Sequence, residues 1–403
     1  MHHCRPCRIL KLTARLMNDF RSGAEARLLL HAVRIGGRKT DTPEAEKLVS
    51  SAGFDWDDLY TLAAAHRIRP QLESFLKNTL PGRAPVEFIL HLEDYNRENA
   101  LRQLRNFSEF FRVNGILEEQ QIPCFPFKGP WLAHQLGEST ASRESRDIDL
   151  FIRKSDLDRV ISLMPGLGYV YETSSHPRYV EKLKKISAEF NFDRYEGETC
   201  IHHFEYHWQI GSSKHRLDIT YDELASHIGT SRFQGHEFPL PDLSAHLVLV
   251  LMHHAGKDFL NQMKHIHDIG LLMQKKEMID WEWVRGMMKR YGAEKLLYVS
   301  AGLASRVTGV PVPDALAREV GTPAIVRMTE ERMMVLVSMP DGYSRDRYER
   351  KTLAFLLRAR SGIRVRAVMA GSGVWSAVRR AVVPERLMSF YLKKRYNIGA
   401  GKS

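Results

Sequence analysis

Cysteine is scarce in this chain of 403 residues: Cys4, Cys7, Cys124 and Cys200 are all there are. So few thiols in so long a chain exclude a disulfide framework. Cys4-x-x-Cys7, preceded by His2 and His3, has zinc-like spacing, but no second pair follows it. Cys124 and Cys200 fall in strand-like apolar contexts and are expected in the core. Long apolar runs are also missing. The longest, Leu247–Met252, suits a buried helix and falls far short of a bilayer span. The basic N-terminus has no uninterrupted apolar stretch of the kind a signal peptide needs, so the expectation is a cytoplasmic protein. Internal repeats and low-complexity tracts are absent too. Acid is nearly absent from one region only. From Arg358 to Ser403 there are eleven Lys or Arg and a single Glu385, which is almost the whole formal charge of +11. The rest of the chain is nearly neutral, which argues against a core that binds nucleic acid generally.

The length suggests more than one core. Residues 1–120 read as a helical region. Thr42-Pro43 opens one helix and Pro81-Gly82 breaks another. A long amphipathic helix is expected from about Val86 to Gln120, with Phe88, Leu92, Leu101, Leu104, Phe107 and Phe110 on its apolar side. Residues 121–240 read as a catalytic domain, 241–357 as a second helical domain, and 358–403 as a basic tail. In that tail Trp375, Phe390, Tyr391 and Tyr396 interleave with Arg and Lys, so an acidic partner or a membrane surface is an expected contact.

Chemistry concentrates in Phe127–Ile152, FKGPWLAHQLGESTASRESRDIDLFI. A strand Ile122–Phe127 ends at Lys128; Gly129 supplies a tight turn and Pro130 opens a short helix. After a polar loop comes the strand Asp147–Ile152. Side chains two apart on a strand share a face, so Asp147 and Asp149 stand together, with Ile148, Leu150 and Ile152 opposite. Paired carboxylates need positive charge between them, and Mg²⁺ or Mn²⁺ suits oxygen ligands. Two further strands, Ala188–Tyr195 and Cys200–Ile210, flank Glu196-Gly197-Glu198. The second puts His203, Glu205 and His207 on one face. Glu205 is the expected third carboxylate, both metal ligand and general base, with Asp218 as its substitute. Lys128 and Gly129 are expected at the nucleotide's phosphates, as a point charge and a backbone approach, with Arg143 or Arg146 as a planar fork. Solvated carboxylates on an edge strand are the plainer reading of the same acids.

In order, Phe127-Lys128-Gly129, Leu132-Ala133, Arg143, Asp147-Ile148-Asp149-Leu150-Phe151-Ile152, Glu205-Tyr206-His207-Trp208, His254 and Asp268-Ile269 resemble the bacterial "uncharacterised nucleotidyltransferase" family of the polymerase-beta-like nucleotidyltransferase superfamily. The resemblance runs from about Trp56 to Leu272. It implies an α+β fold, a mixed sheet with helices flanked by N- and C-terminal helical domains. It also implies transfer of a nucleoside monophosphate from an NTP, ATP first among them, to a hydroxyl or phosphate acceptor, with release of pyrophosphate. Lys264 joins the nucleotide-binding set on the same basis. Relatives often sit in gene clusters for modified peptides such as lasso peptides or for surface polysaccharides, which implies a tailoring role on a peptide, sugar or small molecule. The chain departs from the wider superfamily, which carries Gly-Ser where Lys128-Gly129 stands. Two rival readings accompany this one: a non-catalytic nucleotide- or peptide-binding partner in a biosynthetic complex, and an HD-type metal phosphohydrolase built on His254, His267 and Asp268.

Overall fold

The long helix sets the frame. The computed structural model describes residues 23–36, 42–171, 177–211, 217–337, 354–362, 366–367 and 371. The Cys4–Cys7 pair and most of the basic tail, with its aromatic residues, lie outside them. Val86–Glu119 runs for 34 residues, a length of about 50 Å at helical rise. Its two ends serve different cores. Phe88 and Leu92 join one apolar cluster, and Phe107, Phe110, Val113 and Leu117 join a second. The middle departs from the expected stripe: Leu101 and Leu104 are exposed, and Asn99 and Gln103 are buried instead. The reason is hydrogen bonding. The Asn99 amide donates to the carbonyls of Ala141 and Arg143, and Gln103 donates to that of Ser145. Buried amides of this kind are retained only where they meet carbonyls.

The sheet has the order β1-β2-β5-β4-β3. Its strands are β1 (Cys124–Pro126), β2 (Ile148–Ile152), β3 (Val170–Tyr171), β4 (Glu189–Glu196) and β5 (Thr199–His207). β2 runs parallel to β5 and every other pairing is antiparallel, so the sheet is mixed and the fold α+β. One face packs Ile148, Leu150, Phe192, Phe204 and Tyr206 into the second cluster. Phe125, Phe127 and Phe151 join the larger cluster, with helices from both ends of the chain. Cys124 is buried as expected, whereas Cys200 is exposed, lying beside a register shift between β4 and β5. A hairpin missed in the sequence follows, β6 (Ile228–Phe233) and β7 (His236–Pro241). Its turn, Gln234-Gly235, has positive φ at both residues, the mirror-image turn whose twist matches a hairpin. Phe233 stacks on Phe107 at 4.1 Å, which ties the hairpin to the long helix.

The C-terminal region opens with Leu243–Leu251, in which all nine residues are buried. Asp242 caps it by accepting from Ala245 N–H at 2.8 Å. The helix then widens into a π-helix over Met252–Lys257 and breaks at Phe259 and Leu260, both with positive φ. Met263–Gln274 follows, then Trp281–Arg290, Glu294–Thr308, Asp314–Val320 and Pro323–Val337. The N-terminal helix Ala24–Ala32 docks on this group, with Ile35 N–H donating to the Thr308 carbonyl at 2.9 Å. Among the described residues no helix is long and apolar enough to cross a membrane.

Candidate active site

Parallel pairing of β2 with β5 places Asp149 directly opposite Glu205. Cross-strand partners share a face, so the two carboxylates project side by side from the sheet. His207, two residues on from Glu205, sits between them: its Nε2 lies 3.0 Å from Asp149 Oδ1 and 3.2 Å from Glu205 Oε2. His203 closes the other side, with Nε2 3.4 Å from Glu205 Oε1 and Nδ1 2.6 Å from Asp193 Oδ1. The three alternate residues of β5 thus share one face, as their spacing predicts. Glu189 Oε2 lies 3.2 Å from His207 Nδ1, off the line of a good hydrogen bond, and takes Lys257 Nζ at 2.7 Å.

Lys128 supplies the local positive charge. It follows β1 and has φ 60° and ψ −156°, an unusual conformation for a residue with a side chain. Two contacts hold it there. Its Nζ lies 2.7 Å from Asp149 Oδ1, and its backbone N–H donates to His246 Nε2 at 3.0 Å. An accepting Nε2 requires the neutral tautomer with the proton on Nδ1, which faces Gln135 Oε1 at 2.7 Å. Burial pushes the His246 pKa down to about 3, consistent with that form. Gly129, with φ 49°, starts the helix Gly129–Leu136, and a Cβ there would stand 3.2 Å from the Ser145 hydroxyl. The positive φ favours glycine here, and a side chain would press on the Ser145 hydroxyl as well.

Electrostatics separates the acids. Burial alone would raise Asp149, but Lys128 and the His207 hydrogen bond outweigh it, and its carboxyl stays below the usual range. Glu205 is likewise opposed by burial and held far lower by His203 and His207. An ionised carboxylate in this position suits a cation, in keeping with the ligand role expected of Glu205. Burial would also lower His203, yet Glu205 and Asp193 raise it to about 10.

The remaining expected residues are placed differently. Asp147 stands one residue before β2, half-buried, and its Oδ1 accepts from the Ser145 hydroxyl at 2.8 Å. Burial and Asp149 push its carboxyl up, while Lys128, Lys264 and Ser145 more than offset them. Arg143 is committed elsewhere: its Nε donates to Asp268 Oδ1 at 2.7 Å and its Nη2 to Oδ2, both residues buried. A guanidinium spent on a carboxylate fork is not presented to a phosphate. Lys264 donates to the Glu144 carbonyl at 3.3 Å, and burial beside Arg143 and Arg67 lowers its ammonium to about 8. Asp218 stands two residues before Thr220, and its charge acts on Tyr291, which hydrogen-bonds Glu223. Glu205, not Asp218, is the acid that stands beside Asp149.

The HD-type set is not assembled. His267 Nδ1 faces the Val33 carbonyl at 3.0 Å, whereas His254 Nε2 and Arg143 both turn to Asp268. Among the described residues two groups have ligand atoms close enough for a metal ion, Asp149–Glu205–His207 and His253–His254–Asp258. The first fits a divalent cation through its two ionised carboxylates on one sheet face, with Asp147 at the strand entrance.

Sequence reasoning missed the residues that carry the loop before β2. Glu144 accepts from Arg69 N–H at 2.8 Å, from Arg69 Nη2 at 2.6 Å and from the Tyr95 hydroxyl at 2.8 Å. With Asn99 and Gln103, these bonds fix a segment that lacks regular structure. A buried amide stripe inside an otherwise apolar helix was the only available signal.

A family model described as "Uncharacterised nucleotidyltransferase" matches residues 52–309. No curated protein matches the chain. Among solved structures, the crystal structure of the lincosamide antibiotic adenylyltransferase LnuA, lincomycin-bound, is similar over 41% of this chain and 94% of its own, at 17% identity and a TM-score of 0.29.

Proposed function

The chain belongs to the uncharacterised nucleotidyltransferase family, and from that membership we propose that it moves a nucleoside monophosphate from an NTP to a hydroxyl or phosphate acceptor and releases pyrophosphate. The observation that carries this reading is the register of Asp149 against Glu205, two ionised carboxylates on one face with Lys128 beside them. Asp149, Glu205 and Asp147 would hold Mg²⁺ or Mn²⁺, which when bound offsets phosphate charge and acidifies the acceptor oxygen. Lys128 and the Gly129 N–H at the helix start bind phosphate oxygens. His203 and His207 hold the carboxylates ionised and fix their rotamers. Lys264 is a further cation near Asp147, within reach of the same charge field. ATP is the first NTP to try; a peptide, a sugar or a small molecule is the acceptor class, so tailoring of a peptide natural product belongs to this proposal.

The test uses NTPs labelled in the α or the γ phosphate, Mg²⁺ and an acceptor panel. Label from the α position should reach the acceptor with matching pyrophosphate release, and Asp149→Asn should abolish both. Transfer of γ label, or an Asp149→Asn enzyme as active as the parent, would overturn the assignment.

A further inference from the structure

The second group of metal-competent side chains lies outside the carboxylate site, where the helix Leu243–Leu251 widens. The π-helix Met252–Lys257 carries His253 and His254 on adjacent positions. Its wide turn is closed by Asp258 N–H donating to the His253 carbonyl at 2.9 Å, which brings Asp258 back over His253. Single π-turns are rare and cluster at functional sites. The chain then passes through two successive residues, Phe259 and Leu260, in the left-handed region, a costly pair for side-chain-bearing residues.

The distances within the group are those of a coordination shell. His253 Nδ1 is 3.4 Å from His254 Nδ1 and 3.0 Å from Asp258 Oδ2, and His265 Nε2 is 3.7 Å from the same oxygen. Four ligands about 2.0–2.1 Å from a tetrahedral zinc ion stand roughly 3.3 Å apart. A further fact supports a ligand. His254 turns its other nitrogen, Nε2, to Asp268 at 3.0 Å, and Arg143 locks Asp268. A carboxylate behind an imidazole is the usual outer support of a metal-bound histidine, and it leaves the lone pair on Nδ1.

We propose that His253, His254 and Asp258 bind a divalent transition-metal ion of the zinc type, separate from the cation at Asp149. The donor sets divide the two sites: imidazole nitrogen favours zinc, whereas the carboxylates at Asp149 and Glu205 favour Mg²⁺ or Mn²⁺. The site pins the break between two helices to the helix that carries Asp268, and through Arg143 to the loop before β2.

The test uses the full chain with Cys4→Ser and Cys7→Ser, which removes the N-terminal thiols, stripped of metal by chelator. Titration with Co²⁺ should give the visible absorption of a tetrahedral site, displaced by Zn²⁺. Asp258→Asn, shown folded by circular dichroism, should weaken binding by more than roughly tenfold; Asp149→Asn should leave it unchanged. X-ray absorption of the zinc-loaded parent needs no variant and should report imidazole nitrogen together with oxygen in the shell. Absence of Co²⁺ binding, an oxygen-only shell, or binding lost in Asp149→Asn and kept in Asp258→Asn would each overturn the proposal.

Discussion

Lys128 and Asp149 form an ion pair of 2.7 Å with side chains only 7% and 4% exposed. Removing one member of a buried pair leaves the other charge without compensation, at a cost of about 3–5 kcal/mol. Lys128→Met should therefore lower the unfolding free energy in urea by about 3 kcal/mol. It should also raise KM for NTP at least about tenfold, a loss of about 1.4 kcal/mol of binding. An unchanged KM beside a lowered stability would make Lys128 structural only.

Arg143 tests the opposite assignment. Its fork is filled by Asp268, so Arg143→Ala should cost about 3–5 kcal/mol of stability. The KM for NTP of the folded fraction should stay within about twofold, or less than about 0.5 kcal/mol. A tenfold rise in KM with stability intact would return Arg143 to the nucleotide.

His246 holds the backbone of Lys128. His246→Ala leaves a buried N–H without its acceptor, a loss of about 1–3 kcal/mol. Because that N–H orients the turn, kcat should fall with the stability, and His246→Asn should restore part of both. Crystallography of the alanine variant should find the Lys128 φ moved from 60°.

Histidines impose opposite slopes on stability against pH. His203 is raised from 6.5 to about 10, so its contribution is complete below pH 6.5 and is lost as pH climbs through about 10. His66 and His246 are lowered by burial to about 4 and about 3. Their unfolded forms take protons first, so their contribution is complete above pH 6.5 and disappears as pH falls towards those values. Urea midpoints should thus peak near neutrality. His203→Gln should flatten the alkaline limb and leave the acid limb in place.

Much of the site was legible because strands have a period of two. The spacing of His203, Glu205 and His207 predicts one face, and the DIDLFI run predicts a strand beside it. What the spacing could not convey was partnership over distance. Arg143 looks like a phosphate fork until Asp268 is found 125 residues downstream. Asp147 stands one residue before β2, where the Ser145 hydroxyl donates to its carboxylate, a contact that the spacing does not convey. Leu101 and Leu104 lie across the helix from Leu92, Phe110 and Leu117, and at their level the inward line holds Asn99 and Gln103 instead. Local periodicity shows which side chains share a face; it says nothing of which face a distant loop will cover.

The grip of the long helix on that loop has a consequence for variation. Asn99 and Gln103 hold the loop by main-chain oxygens, which all twenty amino acids provide alike. That part of the hold on residues 141–145 is indifferent to side-chain identity, unlike the bonds that Arg143 and Glu144 make with their own side chains. Substitution at exposed Ser139 or Arg146 can reshape what the protein meets at its surface while Asp149 and Glu205 keep their alignment.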